Sequence, residues 1–468
     1  MSVEGVNQFT STVLQQLLVS QNSTGNVAIS GLSLMAIMGA VNLGLSGSSY
    51  DQLSTFLGEG VTEIDDTSNW KQTRTAEKMM DLDNLVTEFF DRHSSLFHSC
   101  EIKDHYEKIT EVLVTLHKFV IDFSNPARAA RKMNMWISEY LLGPRPSIFN
   151  ESMLSDKMVV FIDSLFISID WRNAFDESHT KQATFFDNQG QSLEVSMMST
   201  QMMSRIYDSP KYNFRILFKA FKDGNRSAAI VLPRAGHKIE EVLKNFNFDE
   251  MHIYFKESKR TYVKLTMPKF KIRGPHDLVN AFRSFGVTDI FDPHRSNFGR
   301  MTTENVFLGT LIQVLEFDLR ESGVNSEVCD DGDSDDEADD DNFSDGDEED
   351  EVVVETSHSD SEEEEDEGKD YQSHSDTEDG TLEMRQEKYL HLEPVEGVDE
   401  RSDEETEDDG ERREDRPDSD EEDSEDPGDE MNSQPEEFLV DRPFLFLMYS
   451  SKADVVFYSA AVTNPNAK

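Results

Sequence analysis

The chain has 468 residues, 95 Asp and Glu against 44 Lys and Arg, and a formal net charge of −51. Residues 327–437 hold 54 acidic and 7 basic residues, so the rest of the chain has a net charge of only −4. Two cysteines, Cys100 and Cys329, exclude a disulfide-stapled scaffold. The composition predicts a nearly neutral globular body, large enough for an extensive core, and one polyanionic segment.

The N-terminal twenty residues lack the basic start and continuous apolar run of a cleaved signal peptide. The longest apolar stretch, 32–45, is interrupted by polar residues and glycines and is too short to span a bilayer. We therefore expect a cytoplasmic or nuclear protein that does not engage a membrane. Secretion through a non-cleaved signal is the alternative.

Periodicity indicates helices early in the chain and strands later. An apolar stripe predicts an amphipathic first helix, and Ser30 is a candidate N-cap for a second, apolar helix that runs to Leu45. Since the two classes of element do not alternate regularly, the pattern favours an α+β fold. The stripe of the first helix consists of Val6, Phe9, Val13 and Leu17. Runs of β-formers predict strands at 159–169, 227–233, 262–270, 306–319, 444–450 and 454–462.

Between Glu327 and Glu437 apolar periodicity is almost absent. Asp, Glu, Ser, Gly and Pro dominate this segment, which cannot bury enough surface to offset its ordering entropy. The segment is predicted to be a disordered, acidic low-complexity region. A short interaction helix within 381–395 is the less favoured alternative.

The stretch FLVDRPFLFLM at 438–448 resembles the signature of the serpin (serine protease inhibitor) family. Its core is Asp441, Arg442, Pro443 and Phe444. Further motifs occur in the family's order: NVAISGLSLMAIMGAVNLGLSG at 26–47, MNMWI at 133–137, FIDSLFISIDWRNAF at 161–175, IVLP at 230–233 and MPKFKI at 267–272.

This resemblance to serpins of the intracellular type implies an α+β body with three β-sheets and eight or nine helices. The body would comprise 1–323 and 438–468, with 324–437 as a disordered acidic insertion in the exposed reactive loop. In inhibitory members a protease cleaves that loop and forms an acyl-enzyme. The freed loop then inserts as an extra strand into the large sheet and carries the protease with it.

The resemblance also implies two functional regions in this chain. The hinge that starts insertion corresponds to Glu321, Gly323, Val324, Ser326 and Val328, and family spacing places the scissile bond at Glu337-Ala338. The region where the large sheet opens corresponds to Ser30, Ser33, Asp163 and Gln313. Asp163 stands in place of the family's asparagine, and Gln313 stands in place of its histidine.

The loop departs from the inhibitory pattern after the first hinge residues, because the usual run of alanines is missing. Alternate residues of an inserted strand face the core, and in this chain they include Asp330 and Asp336. Burying an unpaired carboxylate costs several kcal/mol. Insertion is therefore expected to stall after about three inward positions.

Two functions remain open at this stage. The first is a non-inhibitory or atypical serpin that binds basic proteins through its acidic segment. The alternative is an active inhibitor of a serine or cysteine endopeptidase that acts as a suicide substrate. An enzyme is not expected, since no catalytic or metal-ligating constellation is recognisable. We expect no cofactor, no nucleic-acid partner and a monomeric protein.

The compositional break predicts how the chain responds to limited proteolysis. Mild digestion should excise most of the acidic segment, because unpacked chain is the preferred substrate, and should leave two fragments that stay associated. Size-exclusion chromatography followed by mass spectrometry identifies the fragments. Loss of the globular body at the same protease dose would contradict the prediction.

Overall fold

The helices follow from apolar spacing and capping in a computed structural model that describes residues 5–21, 25–64, 69–140, 147–325 and 434–467. Ser30 is an N-cap, as predicted: its side chain accepts a hydrogen bond from the Ser33 N–H at 3.2 Å. All 14 residues of the helix that follows are buried, as expected for a helix that is apolar on every side. The α-helices of the described residues are α1 (Val6–Ser20), α2 (Gly31–Gly44), α3 (Gly47–Leu57), α4 (Arg74–Phe89), α5 (Asp104–Val114), α6 (Pro126–Tyr140), α7 (Ile239–Asn245), α8 (Met251–Glu257) and α9 (Val279–Ser284).

The strands lie mostly in the second half of the chain, as the sequence predicts. The described strands are β1 (Val27–Ile29), β2 (Asp91–His98), β3 (Leu116–Val120), β4 (Met158–Phe166), β5 (Ile169–Asp170), β6 (Lys181–Phe186), β7 (Ser192–Tyr207), β8 (Phe214–Ala220), β9 (Arg226–Pro233), β10 (Lys259–Pro268), β11 (Phe270–Asp277), β12 (Phe307–Leu319), β13 (Gly323–Asn325), β14 (Glu436–Leu439), β15 (Phe444–Ser450) and β16 (Val455–Val462).

One hydrogen-bonded network is the large sheet, whose long strands run in the order β3-β2-β4-β12-β11. β4 and β12 are parallel neighbours at its centre, while the short strands β13 and β5 extend one end of the sheet. Successive side chains of β4 alternate between two cores. Phe161 belongs to the main core with α2, whereas Ile162 packs in a second core with Trp136 of α6. The large sheet is therefore covered on both faces, which explains its nearly continuous apolar sequence.

The second network contains two sheets that share one strand. β7 is 16 residues long. Its first residues pair with β6, the rest pair with β10, and its C-terminal end also pairs with β8. One sheet is thus β6-β7-β10-β14. The other starts at the C-terminal end of β7 and continues in the order β8-β9-β15-β16-β1. Together with the large sheet they confirm the predicted α+β architecture of three sheets and nine helices within the described residues.

The predicted strand at 159–169 differs from the observed one in a single respect. β4 ends at Phe166, and the chain forms a separate strand, β5, two residues later. The break arises because β4 pairs with β2 and β12, whereas β5 pairs with β13. Sequence pattern does not reveal a change of partner inside an apolar run.

All described residues belong to one compact unit. Residues 324–325 and 434–437, which the sequence assigns to the ends of the insertion, lie in or beside β13 and β14. No helix of the described part of the chain combines the length and apolar character required to cross a membrane.

Candidate functional site

The candidate hinge begins where β12 ends. The chain turns back after Leu319, and the Arg320 N–H donates to the carbonyl oxygen of Gly323 at 2.9 Å. β13 then lies between β12 and β5 and is antiparallel to both. Val324 pairs with Leu319 on one side and with Ile169 on the other, and it is only 2 % exposed. The first hinge residues therefore already occupy a place in the sheet.

Gly323 stands where the adjacent strand leaves no room for a side chain. A Cβ atom at this position would overlap the carbonyl oxygen of Ile169 and lie 2.8 Å from the Cα atom of Asp170. Both obstructing atoms belong to the backbone, so neither can rotate away. Any larger residue has to push β13 away from β5.

Backbone hydrogen bonds hold the turn that precedes β13. The Trp171 N–H donates to the carbonyl oxygen of Ser322 at 2.9 Å, and the Phe175 N–H donates to that of Glu321 at 2.9 Å. The indole N–H of Trp171 also donates to the Arg320 carbonyl oxygen at 3.3 Å. The loop after β5 thus binds three consecutive carbonyl groups of the hinge turn.

The side chain of Glu321 adds a charged contact to these hydrogen bonds at the hinge turn. Its carboxylate accepts a hydrogen bond from the Thr180 hydroxyl at 2.8 Å and forms an ion pair with the Lys269 ammonium at 2.9 Å. Glu321 is 7 % exposed. Burial alone would raise the pKa of this carboxyl, but the hydrogen bonds from Lys269 and Thr180 hold it below its ordinary value. The carboxylate is therefore ionised and anchored at neutral pH.

A buried lysine lies beneath the same loop. Lys219 is 1 % exposed. Its ammonium group donates a hydrogen bond to the Asn173 carbonyl oxygen at 2.6 Å and faces no carboxylate within the described residues. Its Nζ atom lies 5.0 Å from the ring centroid of Trp171 and 4.6 Å from that of Phe175. Burial lowers the pKa of Lys219 to about 7. The two aromatic faces offset part of the cost of its charge.

At the centre of the large sheet, three side chains meet the carboxylate of Asp163. The Ser33 hydroxyl donates to Oδ2 at 2.7 Å, the Ser94 hydroxyl donates to Oδ1 at 2.8 Å, and the Gln313 amide donates to Oδ2 at 2.8 Å. All four residues are buried. We call this arrangement the latch, because it joins β2, β4 and β12 to α2.

The latch also fixes the start of α2. The Ser30 N–H donates to Gln313 Oε1 at 2.9 Å, and Gln313 Nε2 donates back to the Ser30 carbonyl oxygen at 3.1 Å. Ser30, Ser33, Asp163 and Gln313, which the sequence groups only through the resemblance, are thus in direct contact. The Ser33 hydroxyl uses its one proton on Asp163, so this is a structural latch and not a serine activated by an imidazole.

Two residues of this region cannot be assigned to it from the sequence. Ser94 of β2 pairs with Asp163, and His276 of β11 pairs with Gln313, so one row crosses four strands. Nε2 of His276 accepts the Ala28 N–H at 3.3 Å, and burial lowers the pKa of His276 to about 4. The imidazole is therefore neutral at pH 7. Only the strand register, which the sequence does not reveal, brings these residues together.

The signature residues have a structural role at the turn between β14 and β15. The Arg442 guanidinium binds the Asp441 carboxylate at 2.6 Å and donates to the Pro233 carbonyl oxygen at 2.9 Å. The Asp441 carbonyl oxygen accepts the Phe186 N–H at 2.8 Å, and Phe444 is buried. This turn therefore connects β6, β9 and β15.

Four predicted site residues lie outside the described residues: Ser326, Val328, Glu337 and Ala338. Their assignment to the hinge and the scissile bond stays a prediction. Within the described residues no group of three or more His, Cys, Asp or Glu side chains is arranged to hold a metal ion.

The tight approach at Gly323 leads to a test of the hinge geometry. Gly323→Ala should drive β13 out of the sheet at a cost of about 1–3 kcal/mol, because the obstructing atoms are backbone. Amide hydrogen exchange at Trp171, whose N–H binds Ser322, should become faster. Ser322→Ala is the matched control, since the Ser322 side chain is exposed and only its backbone is used. Unchanged exchange in Gly323→Ala would contradict the proposed hinge position.

Comparisons with known proteins agree with this geometry. The family model described as "Serpin (serine protease inhibitor)" matches residues 4–342. Leukocyte elastase inhibitor of Xenopus laevis is 24% identical over 65% of this chain and 82% of its own length. Corticosteroid-binding globulin of Bos taurus is 25% identical over 62% of this chain and 71% of its own.

Among solved structures, that of uncleaved ovalbumin superimposes with a TM-score of 0.68 at 16% identity, covering 99% of this chain and 100% of the other. At this identity the likeness establishes the fold alone. The family match over most of the chain, the three-sheet body and the short hinge strand beside β12 lead to one conclusion: the chain belongs to the serpin family.

Proposed function

We propose that this serpin-family protein is a binding protein for basic partners and that its loop does not insert far enough to trap a protease. On this proposal it is not an enzyme and needs no cofactor. The observation that carries the proposal is the strand register at the hinge. It indicates where each residue of an inserted loop would lie.

Both neighbours of β13 predict the same position for Asp330. Leu319 of β12 pairs with Val324. Continuing this antiparallel register by six residues places Asp330 opposite Gln313. Ile169 of β5 pairs with Val324, and the same continuation places Asp330 opposite Asp163. An inserted loop would thus bring Asp330 into the latch itself.

That position is unfavourable for a second carboxylate. The Asp163 carboxylate already takes the donors of Ser33, Ser94 and Gln313. Two adjacent buried carboxylates repel each other, and each unpaired one costs several kcal/mol. Each hydrogen bond gained by insertion contributes only about 0.5–1.5 kcal/mol. Insertion should therefore stop before Asp330 at neutral pH.

The acidic segment supplies the proposed binding activity. Almost all of the chain's net negative charge lies in residues 327–437, whereas the rest is nearly neutral. A dense polyanion attracts basic proteins and accelerates their association. A cytoplasmic or nuclear location, which fits such partners, belongs to the same proposal, as does a monomeric state.

One observation favours the alternative, an active inhibitor that acts as a suicide substrate on an endopeptidase. Val324 is already buried in the sheet, and Gly323 fits its narrow position. These features are what the first step of loop insertion needs. The test below separates the two functions.

Loop cleavage should leave the melting temperature at pH 7 nearly unchanged, since insertion stalls at Asp330. The double variant Asp330→Ala/Asp336→Ala should gain stability on cleavage, because it removes both inward carboxylates. Asp331→Ala/Asp335→Ala loses the same charge from outward positions and is the matched control. Cleaved wild-type protein should gain stability near pH 4, where carboxylates become protonated.

Thermal unfolding of intact and loop-cleaved protein measures this effect. A large rise in melting temperature of cleaved wild-type protein at pH 7, or an SDS-stable complex with any protease of a serine and cysteine panel, would overturn the proposal. Either result would establish the inhibitor as the function.

Binding of a basic probe tests the second half of the proposal. Oligolysine should bind the full chain, and its affinity should fall steeply between low salt and about 0.15 M, where the Debye length is about 8 Å. Oligoglutamate of equal length is the control and should not bind. Isothermal titration calorimetry measures both. Absence of oligolysine binding at low salt would exclude the polyanion as a binding element.

A further inference from the structure

A cationic cavity lies behind the hinge, between β7, β10, the end of β8 and α8. Its volume is about 590 Å³, which is within the range of small-molecule sites. Its described lining contains four cations and no Asp or Glu. We call it the arginine cavity. The four cations are Arg172, Arg205, Lys219 and Arg260.

Two of these cations face each other directly across a strand pair. Arg205 of β7 and Arg260 of β10 are register partners, and like charges in this arrangement repel and destabilise a sheet. Arg205 donates to the Ser258 carbonyl oxygen at 3.3 Å and stacks over Phe255 at 5.3 Å. No carboxylate of the described residues pairs with Arg205 or Arg260. An opposed, unneutralised arginine pair indicates a place for an anion.

A third guanidinium reaches the same cavity. Arg172 packs over Gly224, where an added Cβ would lie 2.9 Å from Nη2 of the arginine. Gly224 also has a φ of +86°, so the turn between β8 and β9 both needs glycine and leaves space for Arg172. The buried ammonium of Lys219 adds positive charge from beneath. The four cations converge from different elements on one space.

We propose that the arginine cavity binds a phosphate monoester with a flat apolar group. Arginine forks match the oxygen geometry of phosphate, and two opposed arginines can each donate to it. Phe218, Phe255 and Tyr262 line the same cavity and supply an apolar wall for the rest of the ligand. The ligand removes the repulsion between Arg205 and Arg260, and this gain is part of its binding free energy.

The cavity adjoins the hinge through one residue. Arg172 follows Trp171, whose N–H holds the Ser322 carbonyl oxygen of the hinge turn. The Trp171 indole stacks on Phe221 at 4.6 Å and lies 5.0 Å from the Lys219 ammonium. An anion that draws on Lys219 changes the field at this indole. Trp171 fluorescence is therefore a built-in reporter of occupancy.

The test uses the full chain with phenyl phosphate as the probe, titrated by calorimetry and by tryptophan fluorescence. Arg205→Gln/Arg260→Gln should weaken binding by at least about tenfold, the equivalent of losing one charged hydrogen bond. Lys259→Gln/Lys264→Gln is the matched control on β10. It removes two exposed or half-exposed lysines that do not line the cavity and should leave the affinity unchanged. Both arginines are exposed, so the variant should fold, and its melting temperature checks this.

Four results would overturn the proposal. Equal weakening in both double variants would indicate unspecific attraction, and absence of saturable binding in the millimolar range would exclude the site. Inorganic phosphate that binds as tightly as phenyl phosphate would exclude the apolar wall. An oligoglutamate that displaces phenyl phosphate and binds more tightly would assign the cavity to acidic polypeptide instead. Binding in the arginine cavity does not depend on the fate of the loop, so a negative result leaves the proposed function untouched.

Discussion

The buried carboxylate of Asp163 is the charge around which the centre of the large sheet is organised. In the closed sheet its two oxygen atoms receive hydrogen bonds from Ser33, Ser94 and Gln313. These donors come from α2, β2 and β12, so the charge is stabilised only while all three elements are in place. Parting β4 from β12 separates the Gln313 donor from a charge that has no access to water, which is costly.

The hinge and the latch both lie in the large sheet. At the hinge, Gly323 and Val324 are already paired on both sides, and the Glu321 carboxylate is tied to Lys269 and Thr180. At the latch, the buried Asp163 carboxylate accepts hydrogen bonds from three side chains. On the proposed function, the sheet that pairs the first hinge residues would exclude the acidic residues that follow them.

The region behind the hinge adds charge of the opposite sign. Lys219 is buried under the loop that clamps Ser322, and Arg205 and Arg260 oppose each other nearby. A body that is nearly neutral overall thus keeps a local excess of positive charge close to the candidate hinge. Local placement, and not the net charge, decides which ligands such a surface can hold.

Much of this protein can be read from its sequence, because the information is local. The Ser30 cap, the apolar stripe of α1 and the β-rich run of β12 are fixed by neighbours within a few residues, and the acidic segment is recognised by composition. The family motif around Asp441 adds the fold and the order of elements. It also identifies Ser33, Asp163 and Gln313 as members of one region.

Other features depend on contacts between residues far apart in the chain, and only the tertiary structure decides them. Ser94 joins the latch through strand register, and Lys269 reaches Glu321 from the junction between β10 and β11. Neither contact has a signature in the local sequence. The same holds for the division of the apolar run into β4 and β5 and for the opposition of Arg205 and Arg260. The sequence by itself determined the fold class, the position of most strands and where the charge lies. The tertiary structure decided which side chains share a buried space, because the energy of a buried charge depends on its neighbours in space and not on its neighbours in sequence.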